Sequence, residues 1–135
     1  MTLFMLDTNT VSAALRGAPA VDARLASLTR IDWCISAVTR AELRFGVALK
    51  PEATRLARLV QAFLEQARSM PWDAAAADEH GSLRARLRLR GTPIGDFDEM
   101  IAGHAISLSA VLVTDNEQHF RRVDGLSVEN WIRPG

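Results

Sequence analysis

Apolar residues recur along the chain in two rhythms. Leu3-Phe4-Met5-Leu6, Trp33-Cys34-Ile35-Ser36 and Val111-Leu112-Val113-Thr114 are short, nearly unbroken apolar runs. Runs of that length suit strands buried on both faces, the mark of a parallel sheet. Between them the spacing becomes helical. Leu56, Leu59, Val60, Phe63 and Leu64 repeat at the helical period, in a helix opened by Pro51 and Glu52 and running to Arg68. Further helices are predicted over Thr8–Arg16, stopped by Gly17 and Pro19, and over Ala20–Thr29, Thr39–Leu49, Asp73–Arg90 and Asp98–Leu108. Gly91-Thr92-Pro93-Ile94-Gly95 is a loop. Ser69-Met70-Pro71-Trp72 is a brief strand that Pro71 confines to a sheet edge, and Leu126-Ser127-Val128 is a last strand. Strands alternating with helices predict an α/β fold, a three-layer sandwich with helices on both faces of a small, mostly parallel sheet.

Length and composition narrow this picture only a little. The 135 residues suit one domain, with no repeat and no low-complexity linker. No apolar run approaches the ~20 residues that cross a bilayer, and the first residues lack a basic segment, so a cytoplasmic protein without a membrane partner is expected. The single cysteine, Cys34, lies in an apolar run and reads as a buried, inert thiol in a reducing compartment. Formal net charge is zero, which removes global attraction as an argument for nucleic-acid binding. Arginines 84, 86, 88 and 90 form a basic run on one helix, readable as a phosphate track or as a solvated face.

The acidic residues carry more information. Asp7 follows the first strand directly, Glu42 lies in the helix after the second, and Asp115 follows the third. In an open parallel sheet these positions converge at the carboxyl ends of the strands, where ligand sites form. Asp96 and Asp98 add acids after the breaker loop. Carboxylates sharing a small volume raise one another's pKa, and a hard dication bound by oxygen relieves the repulsion. Such a site activates water against a phosphodiester. Helix capping accounts for single acids equally well: Thr39-x-x-Glu42 and Thr114-x-x-Glu117 match capping boxes, and Asp96 is placed to cap the helix containing Asp98. Capping does not explain an acid recurring directly after separate apolar strands.

The segments FMLDTNTVS, ISAVTRAELRFG, GTPIGDFDEMIAGHA and VLVTDNEQHF resemble, in order and spacing, the four motif blocks of PIN domains, most closely those of VapC toxins. The resemblance extends from Met5 to Trp131. It implies one PIN domain over residues 1–135 and an endoribonuclease dependent on Mg²⁺ or Mn²⁺. Asp7, Glu42 and Asp98 would hold the metal and carry catalysis, Thr8 and Asn9 would orient the first acid, and Thr114 would support the site. The fourth block departs from the pattern. Asn116 stands where many PIN domains have aspartate, and Asp115 comes one residue earlier. Asn116 is therefore an auxiliary member, Asp115 the substitute candidate and Asp96 a further one. The resemblance also implies a homodimer, a structured RNA substrate and a VapB-type antitoxin; Val11, Leu15, Val21, Leu25 and Leu28 of the first two helices belong mostly to the core, and any surplus among them would receive an antitoxin helix. The substrate so implied is a tRNA, with the anticodon loop of initiator tRNA as the specific candidate.

Rival readings fare worse on the residues. A haloacid-dehalogenase-type phosphatase needs Asp-x-Asp, and the third place here is Asn9. A phosphoacceptor receiver needs a lysine after a late strand, and the one lysine, Lys50, is elsewhere. A catalytically decayed PIN scaffold that binds RNA or a partner stays open because of Asn116. His80 and His104 lie in helices without a second histidine at ligand spacing and read as satisfied or surface residues. His119 is near enough to the acids to approach a substrate.

Overall fold

The computed structural model describes residues 1–133. Five parallel strands, β1 (Phe4–Leu6), β2 (Trp33–Ser36), β3 (Ser69–Met70), β4 (Val111–Val113) and β5 (Ser127–Glu129), form one sheet in the order β3-β2-β1-β4-β5. The chain winds outward from β1 to one edge and then crosses to the other side, so the topological switch lies between β1 and β4. Register sets the layers. Met5 pairs with Cys34 and Leu112, and Leu6 pairs with Ile35 and Val113. Side chains alternate across a strand. Met5, Cys34 and Leu112 therefore join Leu83, Leu87, Ile101 and Phe120 in one core, while Leu6, Ile35 and Val113 join Val11, Val21, Leu43, Val60 and Trp131 in the other. Burial on both faces is why these strands carry unbroken apolar runs. Cys34 is fully buried and free, its thiol pushed up to about 11 by desolvation, as suits an inert core residue.

The helices are α1 (Thr8–Leu15), α2 (Pro19–Ala26), α3 (Ala37–Leu49), α4 (Thr54–Gln66), α5 (Ala74–Arg90), α6 (Asp96–Ser107) and the short α7 (Glu117–Phe120). Several boundaries correct the expectations from sequence. α3 begins two residues earlier than expected because Ser36 is its N-cap, its hydroxyl accepting from Val38 N at 3.1 Å. Thr39 is thus inside the helix and fully buried, and the expected Thr39–Glu42 capping box does not form. α4 begins at Thr54, with Pro51 and Glu52 in the preceding turn. Asp96 opens α6 rather than capping it, because Gly95 is the N-cap and its φ of 111° suits glycine. The one-turn α7 had no periodic signal to announce it. β3 lies at the sheet edge and stops just before Pro71, as a residue without an N–H requires.

α5 and α6 pack closely. A Cβ built on Gly103 would lie 2.7 Å from the backbone N and Cα of His80. Gly→Ala inside a helix ordinarily stabilises by up to ~1 kcal/mol. Here the clash is with backbone, which does not yield cheaply, and Gly103→Ala is expected to destabilise by about 1–3 kcal/mol. Urea unfolding of the variant would show a lower midpoint at unchanged slope; a raised midpoint would mean that α5 and α6 are not held at this spacing.

Candidate active site

Asp7 leaves β1 at the switch between β1 and β4. Its backbone N donates to Val113 O at 3.0 Å, and its Oδ1 accepts from Thr10 N at 2.8 Å, which makes it the N-cap of α1. The side chain is almost wholly buried. Burial raises the pKa of its carboxyl above the ordinary value, as does the charge of Glu42, while hydrogen bonding from Thr114 and from the backbone and side chain of Thr10 acts against them. Glu42 is one turn and a half into α3, its Oε1 accepting from the Thr8 hydroxyl at 2.6 Å. Asp98, in the first turn of α6, has its pKa pushed up to about 6, first by desolvation and then by the charges of Asp7, Glu42 and Glu99. These carboxylates come from distant parts of the chain and lie within one another's field. No three of them converge on one point at ligand distance among the described residues.

The remaining candidates divide. Thr114 is fully buried, and its hydroxyl accepts from Asn116 N at 2.9 Å, so the expected capping box with Glu117 is absent. Asn116 is therefore one side chain removed from Asp7, and its Nδ2 lies 2.8 Å from His119 Nδ1. Asp115 is engaged elsewhere: its Oδ1 accepts from Arg133 Nε at 2.8 Å and from Asn130 Nδ2 at 3.0 Å, and these contacts hold its carboxyl below the usual range. Asp96 is exposed and faces Arg84 Nη2 at 3.6 Å. The structure brings neither Asp115 nor Asp96 to the buried cluster. Thr8 serves Glu42 rather than Asp7, and Asn9 is exposed; Thr10 is the residue that orients the first acid.

Residues 4–126 match the family described as the PIN domain. The chain belongs to the PIN-domain family. It is 39% identical over 131 residues to the tRNA(fMet)-specific endonuclease VapC of Shigella flexneri, covering 97% of this chain and 99% of that one. The tRNA(fMet)-specific endonuclease VapC of Salmonella typhimurium is 37% identical over the same proportions. Among solved structures, VapBC2 from Rickettsia felis bound to a DNA fragment from its promoter superposes with a TM-score of 0.90 at 32% identity, covering 96% of this chain and 99% of that one. DNA-bound VapBC from Salmonella typhimurium gives 0.90 at 37%, covering 97% and 99%.

Two residues of this PIN domain's site escaped the sequence reading. Thr10, outside the Asp-Thr-Asn triplet, holds Asp7 and also donates through its hydroxyl to Val113 O at 3.0 Å. Glu99 is almost fully buried beside Asp98, with Oε2 accepting from Ile94 N at 3.2 Å and Oε1 3.7 Å from Arg84 Nε. Its signal was available: positions three and four residues on, Ala102 and Gly103, lie on the core face of α6. The arginine run of α5 is partly spent within the chain, Arg84 on Asp96 and Glu99 and Arg90 on Asp124.

An acid whose folded-state pKa is raised contributes stability below its unfolded pKa and loses it as pH rises through the folded value. For Asp98 that window runs from about 4 to about 6. In metal-free protein Asp98→Asn should therefore match the wild type below about pH 4 and exceed it at pH 7.5. Discounted for the partial exposure of Asp98, the gain is about 1–2 kcal/mol. Thermal melts with chelator across that range would test this, and a variant less stable than wild type at pH 7.5 would contradict it.

Proposed function

We propose that this chain is one PIN domain acting as an endoribonuclease that depends on Mg²⁺ or Mn²⁺, with Asp7, Glu42 and Asp98 as the metal-holding and catalytic acids. The observation that carries the reading is convergence without a counter-charge. Asp7, Glu42 and Asp98 come from three separate elements, Asp98 lies in the field of the other two, and none of the three has a cationic side chain within ion-pair distance among the described residues. Mutually repelling oxygen donors, Asp7 buried and Glu42 and Asp98 half-buried, without a histidine or cysteine fit a hard dication. When bound, Mg²⁺ or Mn²⁺ supplies charge neutralisation at the phosphodiester and a water made acidic enough to attack it. The chain's own residues do the rest. Thr10 and Thr114 fix the Asp7 carboxylate by hydrogen bonds, Thr8 fixes Glu42, and the walls of both cores keep water from the back of the cluster. Asn116 is an uncharged auxiliary that orients through its amide. Its lack of charge is the one feature favouring the second reading, a decayed scaffold that binds RNA or a partner without cleaving.

The relatives' names and structures support a structured RNA substrate such as a tRNA, with the initiator tRNA as the specific candidate, and a VapB-type antitoxin as partner. Of the apolar residues on the first two helices, Val11 and Val21 are buried in the core and Leu25 and Leu28 pack against it, which leaves Leu15 as the surplus that faces a groove. This groove of about 460 Å³ between α1, α3 and α4, lined by Leu15, Leu43, Val47, Leu56 and Leu59 with Glu42 at its rim, suits an amphipathic segment. We also propose a homodimer and a cytoplasmic location; no helix among the described residues is long and apolar enough to cross a membrane.

Wild-type protein should gain melting temperature as Mn²⁺ is added, since a ligand bound only by the folded state stabilises it by mass action. Asp7→Asn should abolish both that gain and growth arrest on expression. No shift at millimolar Mn²⁺ would favour the decayed scaffold, and equal arrest from both proteins would end the acid-dependent reading.

A further inference from the structure

His104 is fully buried on α6, and its Nδ1 lies 2.8 Å from Ser36 Oγ, across 68 residues of sequence. Its other hydrogen-bond partner is the backbone of Pro71, just past β3. Proline has no backbone N–H, so that partner can only be the carbonyl, and it requires a proton on Nε2. Burial disfavours the imidazolium, and in the neutral ring Nδ1 is then an acceptor. The Ser36 hydroxyl must therefore donate to His104 while accepting from Val38 N. One serine oxygen caps α3 and anchors α6 in the same act. Around this tie the contact is apolar, with Val38 packed among Ile101, Ala102 and Ala105.

The placement of the tie relative to the acids gives it a role. Glu42 lies six residues beyond Ser36 along α3, and Asp98 lies six residues before His104 along α6. At 1.5 Å per residue each acid is about 9 Å from the tie along its own helix axis. Apolar packing of two helices tolerates small slides, because dispersion and burial are not directional. A buried hydrogen bond is directional, and a slide that left either partner unpaired would strand a buried polar group. Trp72 adds a second restraint on α6 from the same loop, its Nε1 donating to Met100 O at 3.0 Å.

We propose that His104 is a positioning residue: through Ser36 it sets the register of α6 against α3, and so the separation of Asp98 from Glu42. This rests on the metal-binding reading above, and the test separates the two. Mn²⁺ affinity is measured by loss of the free-ion EPR signal on titration into wild type, His104→Leu, His104→Asn, Ser36→Ala and the Ser36→Ala/His104→Leu double variant. Asparagine can return a hydrogen-bonding atom near the Nδ1 position; leucine keeps the bulk and loses the bond. His104→Leu and Ser36→Ala should each weaken Mn²⁺ binding about three- to tenfold, the double variant should be no worse than the poorer single, and His104→Asn should recover to within about twofold of wild type. If His104→Leu fails to fold, Ser36→Ala against His104→Asn carries the same comparison. Variants that melt lower yet bind Mn²⁺ within twofold of wild type would overturn the positioning role and leave the metal reading standing. A wild type that binds no Mn²⁺ would overturn both.

Discussion

Asp7, Glu42 and Asp98 are held in one another's field by three elements, each anchored at a point of its own. Asp7 is fixed at the central strand by a backbone bond to β4, Glu42 is fixed by the length of α3 from its cap, and α6 is pressed against α5 where Gly103 meets His80. Like charges in a partly desolvated volume raise each other's pKa, and the effect is visible at both Asp7 and Asp98. The fold does not relieve that repulsion with an arginine, although fifteen are present. Stability is given up locally, and a cation held by these acids, as proposed, would return it. Active sites are commonly regions where the packing rules obeyed elsewhere are broken.

Parallel topology explains why the acids meet at this edge. Each strand delivers its following residue to the same end of the sheet, and the switch between β1 and β4 leaves a crevice there. Asp7 shows that capping and site formation need not compete. As N-cap it accepts from Thr10 N and gains from the positive end of α1, which offsets part of the burial that drives its pKa up. The same helix start therefore makes a buried carboxylate tolerable.

Periodicity and breakers placed the three central strands and the long helices within a few residues, because burial on both faces leaves a plain apolar signature. They misplaced helix starts wherever a cap was not the residue nearest the periodic stretch. Ser36 belongs to β2 by pattern and to α3 by hydrogen bonding, and only coordinates separate those roles. That Asp7 and Glu42 come near each other was legible from their places after β1 and β2, whereas nothing but the family resemblance joined Asp98 to them. The partners of Asp115 were not legible, since Asn130 and Arg133 lie more than a dozen residues away. Thr10 was missed because a backbone donor leaves no trace in residue type, and Glu99 because residue type alone does not separate a buried acid from a solvated one.

Glu99 also shows how the charge of α6 is balanced. Asp96, Asp98 and Glu99 crowd one helical turn, and the helix N-terminus compensates only part of that charge. Arg84 lies across the turn, reaching Asp96 with Nη2 and Glu99 with Nε. It takes up the two outer acids and leaves Asp98 without a cation. Had Arg84 been one residue nearer Asp98, the pair would have been stable and the carboxylate closed to a metal. The division along this turn, two acids sharing one arginine and Asp98 left with none, keeps negative charge beside Asp7 and Glu42 in a chain of zero net charge.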